Sequence, residues 1–485
     1  MRLKNVLRDK WMYIAAFTIP WILICIHSVT RNGWPFYDGS IYFGDSGIQF
    51  YQMYVELWNK IHEGQSLFYT WNAGGGVDFY TNMGYYLISP FTLIILAVPK
   101  TWLNDVIQVV MILKWSGIYV SMVYYFMHTG YNRLDKNKGL VSFVLASIYT
   151  LSNHMIFNVG YFIWNDVMIL FPLLLLAIEK MVRDISWKGY CVLLWMAIIF
   201  NFYPAYQVCL FLVIWFLIQL RKDTPEIRKK IGVFVGSSLL SGLMSFVVLL
   251  PCLLGNRIRY SSEDGIRTLT DKKYISSVLV TFWKYIKKLF IFDDISDFYS
   301  LEPKAYISVG AIALLMLYVG SKSVLKRRNI ILMIFLISGL FFGAVSYVWH
   351  GFSTPHGIYH RYFYIIVFVS VFIILDLIQN LETLNKKSVI ILGIIELILM
   401  IVSFIKIDDY QAVHVYYVTF LLFILYQIIL MLYIKNSINS KHLIAVFSFL
   451  ILVELSMNAY AQLSMYDVNS IDDSWNTKDA GILAD

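Results

Sequence analysis

Charge is what this sequence has least of: 14% of its 485 residues are Asp, Glu, Lys or Arg, against about 25% in a soluble globular chain. With 59% hydrophobic residues and a mean hydropathy of +0.65, that deficit excludes a disordered chain and argues against a water-soluble enzyme. Cysteine is scarce too. Cys25, Cys191, Cys209 and Cys252 lie in or beside apolar runs, and their spacing fits neither a zinc site nor a disulfide framework. No polar stretch is long enough for a soluble domain of ordinary size. The first apolar run, Trp11 to Thr30, is too long for a signal-peptide core and has no A-x-A site after it, so it reads as an uncleaved first helix.

What is abundant is apolar and aromatic: Phe, Trp and Tyr make up 17% of the chain. At about 20 residues per crossing, about a dozen membrane helices would use roughly half of it. The fold class expected is therefore an all-α polytopic membrane protein. After the first helix, candidate spans lie at 86–98, 104–127, 139–152, 164–181, 189–203, 204–220, 230–254, 305–320, 330–348, 362–379, 389–405, 411–434 and 442–461. The segment 86–98 has 13 residues and contains Ser89-Pro90, too short to cross untilted.

The net charge of +8 is read as a topology signal before it is read as a nucleic-acid footprint, and no nucleic-acid partner is expected. If 86–98 dips in without crossing and the N-terminus is cytoplasmic, the basic residues of seven segments fall inside. These are Arg2 to Lys10, Arg133 to Lys138, Lys180 to Lys188, Arg221 to Lys230, Lys322 to Arg328, Lys386/Lys387 and Lys435/Lys441, holding 23 of the 39 Lys and Arg. If 86–98 crosses, all the later ones move outside, against the positive-inside rule. The expectation is about thirteen crossings with the C-terminus outside; its parity depends on whether 189–220 crosses twice around Asn201-Phe202-Tyr203-Pro204. A membrane core then spans 1–461, with outer loops at 30–103 and 255–304, an outer turn at 349–361, and a short acidic tail at 462–485. Any chemistry sits on the outer face, among Asp38, Asp45, Glu56, Asp78, Asp264, His350, His356, His360 and Arg361.

In the first loop, FGDSGIQFYQMYVELWNKI reads as an interfacial helix with a stripe of Phe50, Tyr51, Tyr54, Val55, Trp58 and Ile61. Ser46 and Gln49 fit a capping box, which sets Asp45 just before a helix N-terminus. A carboxylate there either merely caps the helix or is held ionised, as a general base needs. Gly74, Gly75 and Gly76 allow close backbone approach or a sharp turn. In the second loop, Lys284, Lys287 and Lys288 share a face of a basic amphipathic helix (277–292), suited to anionic headgroups or to a lipid phosphate. In the third, His350, His356 and His360 do not make a recognised metal set. No cofactor is expected, with a divalent ion left open. Arg361 stands where an apolar helix begins on the outer side, and its fork suits a phosphoryl group. Lys114, Glu396 and Glu454 are ionisable residues in apolar surroundings, hence functional candidates, internal ion pairs or packing elements.

Six stretches carry a resemblance. GDSGIQFYQMY, GGGVDFYTNMGYYLISPFTLI, WNDVMILFPLLLLAIEKMV (164–182), NFYPAYQV (201–208), SYVWHGFSTPHGIYHRYFYI (346–365) and ELSMNAY (454–460) resemble, in order, the motifs of bacterial YfhO-type membrane proteins. That family in turn resembles the GT-C glycosyltransferases. The resemblance implies a GT-C-like core that takes a sugar from an undecaprenyl-phosphate donor on the outer face of the cytoplasmic membrane. Lipoteichoic acid or a related cell-wall polymer is the implied acceptor, in Gram-positive bacteria. YfhO-type chains commonly continue past the motif at Glu454–Asn458 into a large extracytoplasmic domain; the acidic tail here implies a membrane-core-only or truncated member.

The expected chemistry is inverting transfer. Asp45 takes the acceptor's proton, the acceptor oxygen attacks the anomeric carbon, and lipid phosphate leaves. The resemblance favours Asp45, because GT-C enzymes place their catalytic acidic residue early in the first outer loop; Asp78 and Asp166 are second-choice carboxylates. Arg361, with His350, Lys284, Lys287 and Lys288, is the expected phosphate or lipid set, and Gln49, Gly74, Gly75, Gly76, Asn82 and Tyr85 line the substrate loop. The competing readings are a flippase or exporter of lipid-linked saccharides, using Lys114, Glu396 and Glu454, and a non-catalytic membrane core.

Overall fold

The computed structural model of the chain describes residues 2–220, 225–257, 285–286, 288–290, 304–353, 360–403 and 413–464, the side chains of 2–9, 256–257 and 413–414 excepted. Among these the protein is helical, save one two-stranded antiparallel hairpin pairing Tyr69 with Asp78 and Thr70 with Val77. Among the described residues, five helices are long and apolar enough to cross a bilayer: Lys10–Arg31, Lys100–His128, Phe202–Gln219, Val415–Ile434 and Ser440–Ser464. Three bent pairs, broken at 151–152, 245 and 342 by 58°, 69° and 100°, raise the number to eight if each is one span. The protein is thus an all-α, multi-span membrane protein. The larger expected number, about thirteen, includes helices such as Lys188–Phe200, Val309–Tyr318 and Phe363–Gln379 that are apolar but shorter than a full crossing.

The short pieces behave as their sequences dictate. The segment 86–98 forms the end of one helix, Phe79–Tyr86, and all of another, Thr92–Leu96. Between them Ser89-Pro90 stops the first run, because proline has no N–H to continue it, and Thr92 Oγ1 donates to the Leu87 carbonyl at 2.6 Å across the break. The stretch 189–220 is two helices, Lys188–Phe200 and Phe202–Gln219, parted at Asn201. Asn201 is extended, its Oδ1 accepts the Tyr203 N–H at 3.1 Å, and its Nδ2 donates to the Tyr85 carbonyl at 2.8 Å. That is an N-cap doubling as a tie to the loop 30–103.

Two compact units result. One comprises Phe17–Ser121, Asn158–Ser261 and Leu463–Asp485; it carries the first loop and the helices Asn165–Asp184, Lys188–Phe200, Phe202–Gln219 and Ile227–Met244. Its core includes Tyr54, Trp115, Phe171, Phe211 and Trp215. The other comprises Met1–Ala16, Met122–Phe157 and Ser262–Gln462. Every residue from Tyr362 to Leu377 is buried there, as expected for a helix hydrophobic all round, and this helix is the centre of its unit.

Candidate functional site

Asp45 is positioned by the residues around it. Ile41 N–H donates to Gln108 Oε1 at 2.9 Å and the Tyr42 hydroxyl to the Asn104 carbonyl at 3.0 Å, fastening the incoming segment to the helix Leu103–His128. Ser46 Oγ accepts the Phe43 N–H at 2.8 Å and donates to the Phe43 carbonyl at 2.7 Å. The capping box expected from Ser46 and Gln49 is therefore not formed: the Ser46 hydroxyl is spent on this turn, and Gln49 Nε2 donates to the Tyr86 hydroxyl at 3.1 Å. Asp45 does take the N-cap position, without its side chain bonding the helix's first N–H groups. The helix opens with one wide turn, Ser46–Phe50, of i→i+5 type and continues as Tyr51–His62. Wide turns of this kind recur at functional sites.

The helix is docked by aromatics. Phe43 covers Gly160, where a Cβ would strike its ring. Phe50 meets Tyr161 and Phe162 edge-on at 6.0 and 5.8 Å, and Tyr54 stacks on Phe162 at 5.8 Å. Directly after this platform comes Asp166, in the first turn of Asn165–Asp184. It is buried, with the Lys114 ammonium at 2.7 Å and the Ser89 hydroxyl at 3.0 Å. Lys114 also donates to the Phe162 carbonyl at 3.2 Å and lies 5.5 Å from the Phe91 and Phe162 rings. Of the alternatives open for Lys114, the structure shows an internal ion pair, and its partner is the carboxylate named as a second-choice base. The other second-choice carboxylate, Asp78, caps Phe79–Tyr86: it accepts the Thr81 N–H at 3.2 Å and the Thr81 hydroxyl.

Among the substrate-loop residues, Gln49 and Tyr85 come together through Tyr86, whose ring is 4.7 Å from that of Tyr85, and Asn82 is buried. Gly74, Gly75 and Gly76 have φ of 58°, 76° and 114°. Three left-handed residues in a row are accessible to glycine alone, and they turn the hairpin. Its base is held by Glu56, a residue that sequence reasoning noted only by position. Glu56 accepts the Thr70 hydroxyl at 2.5 Å and the Asn72 amide at 2.9 Å, with Lys60 at 3.4 Å. Burial pushes this carboxyl up, but the Thr70, Asn72 and Lys60 donors outweigh it and hold it below the ordinary glutamate range.

In the other unit, Arg361 is half-buried just before Phe363–Gln379. His350 is buried, and its Nδ1–H donates to the Ser346 carbonyl at 2.7 Å. Burial, opposed by that hydrogen bond and reinforced by nearby Arg361, pushes its pKa down to about 4. That shift favours the neutral imidazole at pH 7, which offers a hydrogen-bonding nitrogen rather than a charge. His360 Nε2 meets the Tyr285 hydroxyl at 2.8 Å. Lys288 is buried rather than displayed on a basic face. Lys284, Lys287, His356 and Asp264 lie outside the described residues. Glu454 is enclosed by four donors: the Tyr306, Ser308 and Tyr426 hydroxyls at 2.5, 2.8 and 2.7 Å and the Val309 N–H at 2.5 Å. One turn on, Asn458 Nδ2 donates to the Leu151 carbonyl at 3.1 Å.

The profile of the family described as bacterial membrane protein YfhO matches residues 15–480. The chain belongs to the YfhO family. Within that family, it is similar to the uncharacterized protein YfhO of Bacillus subtilis (strain 168), 25% identical over 234 residues. That stretch is 44% of this chain and 27% of the relative's length. No solved structure matches the chain. As a YfhO-family chain it is a bacterial membrane protein with multiple membrane-crossing helices. Five of its six YfhO-like stretches supply ties at breaks or ends of helices: the Asp45 turn, the Asp78 cap, the Asp166 pair, the Asn201 cap, and the Glu454–Asn458 pair that holds the ends at 151 and 309.

Proposed function

We propose that the chain transfers a sugar from a polyprenyl-phosphate donor, such as the undecaprenyl form, to a cell-wall polymer on the outer face of the cytoplasmic membrane, as a GT-C-type, inverting glycosyltransferase. The observation that supports this reading is Asp45 at the start of a helix in the loop 30–103, which the charge pattern assigns to the outer face. A carboxylate beside the partial positive charge of a helix N-terminus stays ionised and ready to accept a proton. The acceptor hydroxyl gives its proton to Asp45, its oxygen bonds the anomeric carbon, and the bond to the lipid phosphate breaks. Phosphate needs a cation rather than an acid to leave, and Arg361 is assigned that role. Family membership supports the reading at the level of a glycosyltransferase-like membrane protein; the donor, the acceptor and the polymer are proposals. For the flippase reading, Lys114, Glu396 and Glu454 each have a protein partner, Asp166, Gln427 and Ser308 respectively.

The test is transfer of labelled sugar from a polyprenyl-phosphate donor by the protein in liposomes. Asp45→Asn should abolish transfer at unchanged expression, and Arg361→Ala should raise the donor concentration needed. Full transfer by Asp45→Asn would overturn the assignment of the base.

A further inference from the structure

The hairpin of the first loop carries an aromatic face that neither Asp45 nor Arg361 uses. Side chains alternate along a strand, and here the alternation divides the work. Thr70 and Asn72 turn to Glu56, at 2.5 and 2.9 Å. Tyr69 and Trp71 turn outward, 41% and 76% exposed, with their rings edge-to-face at 4.9 Å. Phe68, 71% exposed, stacks on Tyr80 at 5.8 Å. The backbone beneath is fixed, since Lys60 Nζ donates to the Tyr69 carbonyl at 2.9 Å while its own stem is buried. Gly76 completes the bed, because a Cβ there would strike the Tyr69 hydroxyl and come within 3.0 Å of the Trp71 ring. Large apolar rings are thus held rigidly in the open, which removes the ordering cost a ligand normally meets.

We propose that this face, Tyr69 and Trp71 with Asp78 across the hairpin from Tyr69, is a binding site for the neutral sugar rings of a saccharide chain. Rings of this kind present an apolar C–H face to stack on an aromatic and a hydroxyl rim to pair with carboxylates, amides and backbone groups. The hairpin offers both, since Asp78, paired with Tyr69, and the backbone of Gly74 and Gly75 at the turn are exposed. A membrane surface is the rival ligand for exposed aromatics. Two features disfavour it. Residues 61–99 contain Glu63 and Asp78 but no Lys or Arg, whereas headgroup-binding elements are rich in them. The exposed glycine turn would carry unpaired backbone groups into hydrocarbon. Identifying the saccharide as the acceptor rests on the transfer reading; saccharide binding itself does not.

The experiment uses the full chain in zwitterionic nanodiscs, titrated with neutral oligomers of glucose, galactose and N-acetylglucosamine. At least one should bind, Trp71→Ala should weaken it about tenfold or more, and Trp71→Phe should retain most of the affinity. Trp102→Ala, another exposed tryptophan beside Lys100, should bind as wild type. No binding by any oligomer, or equal binding by Trp71→Ala, overturns the site. So does quenching by brominated lipid of the fluorescence component that Trp71→Ala removes, which would seat the hairpin in the bilayer. Binding by the wild-type chain without any detectable transfer would leave this site standing and remove the transfer reading.

Discussion

His350 is 1% exposed, and its Nδ1 hydrogen is committed to the Ser346 carbonyl. Its folded-state pKa of about 4 lies below the ordinary histidine value of 6.5. Between those two pH values the unfolded chain binds a proton that the folded chain does not, so stability falls on acidification from about 6.5 and levels off near 4. His350→Gln keeps a neutral hydrogen-bonding side chain and removes the titration. Its melting temperature should therefore fall less than wild type's between pH 7 and pH 4.5; equal falls would show that His350 is already charged in the fold. From the sequence alone His350 reads as a cation near Arg361, because burial cannot be seen there. The same blindness affects the ionisable residues within helices. Lys114, Glu396 and Glu454 stand out against apolar neighbours, but their partners do not. Asp166 is 52 positions from Lys114, Gln427 is 31 from Glu396, and Tyr306 is 148 from Glu454. No spacing rule links such pairs; packing does.

The helix Ser46–His62 was legible as an element, and its register was not. Its buried line is Phe50, Tyr54, Leu57 and Lys60, while Ile61 is 46% exposed. The wide first turn delays the helical phase, and the long Lys60 side chain can bury its stem while its ammonium, 5.1 Å over the Phe79 ring, reaches Glu56 and the Tyr69 carbonyl. What fixes the element is its bed at 160–162. Gly160→Ala should force the Phe43 ring off that bed, two residues from Asp45, at a cost of about 1–3 kcal/mol for an overpacked site. Transfer should fall although Asp45 is unchanged, and Phe43→Leu in the same chain should restore part of it by making room for the methyl group. Unaltered transfer by Gly160→Ala would mean that the loop's placement does not depend on this contact. The hairpin was similarly half-legible: GGG announces a turn, whereas the Glu56 knot that stiffens it joins residues 14 and 16 apart.

For the whole molecule, helical class and membrane residence follow directly from composition, but the path through the bilayer turns on two breaks. Helices of 8 and 5 residues flank Ser89-Pro90. At 1.5 Å per residue they extend about 12 and 8 Å, against roughly 30 Å of hydrocarbon, which favours a dip over a crossing. The break at Asn201 separates helices of 13 and 18 residues, and here length does not choose between one bent crossing and two. Single cysteines placed after each break separate the cases: Asp135→Cys follows the first, Ser437→Cys follows both, and all three probe positions, with Ser66 in the loop 30–103, are exposed. An impermeant maleimide applied to intact cells should label Ser66→Cys and spare the other two, which should react only after permeabilisation. Labelling of both Asp135→Cys and Ser437→Cys would show that 86–98 crosses and would turn the basic loops outward. Labelling of Ser437→Cys alone would place the error between those two probes; if it lies at 189–220, Asp45 stays outside and Arg361 falls on the cytoplasmic side. In that case Arg361 could not meet the phosphate of a donor used at Asp45, and the division of roles between them would have to be abandoned.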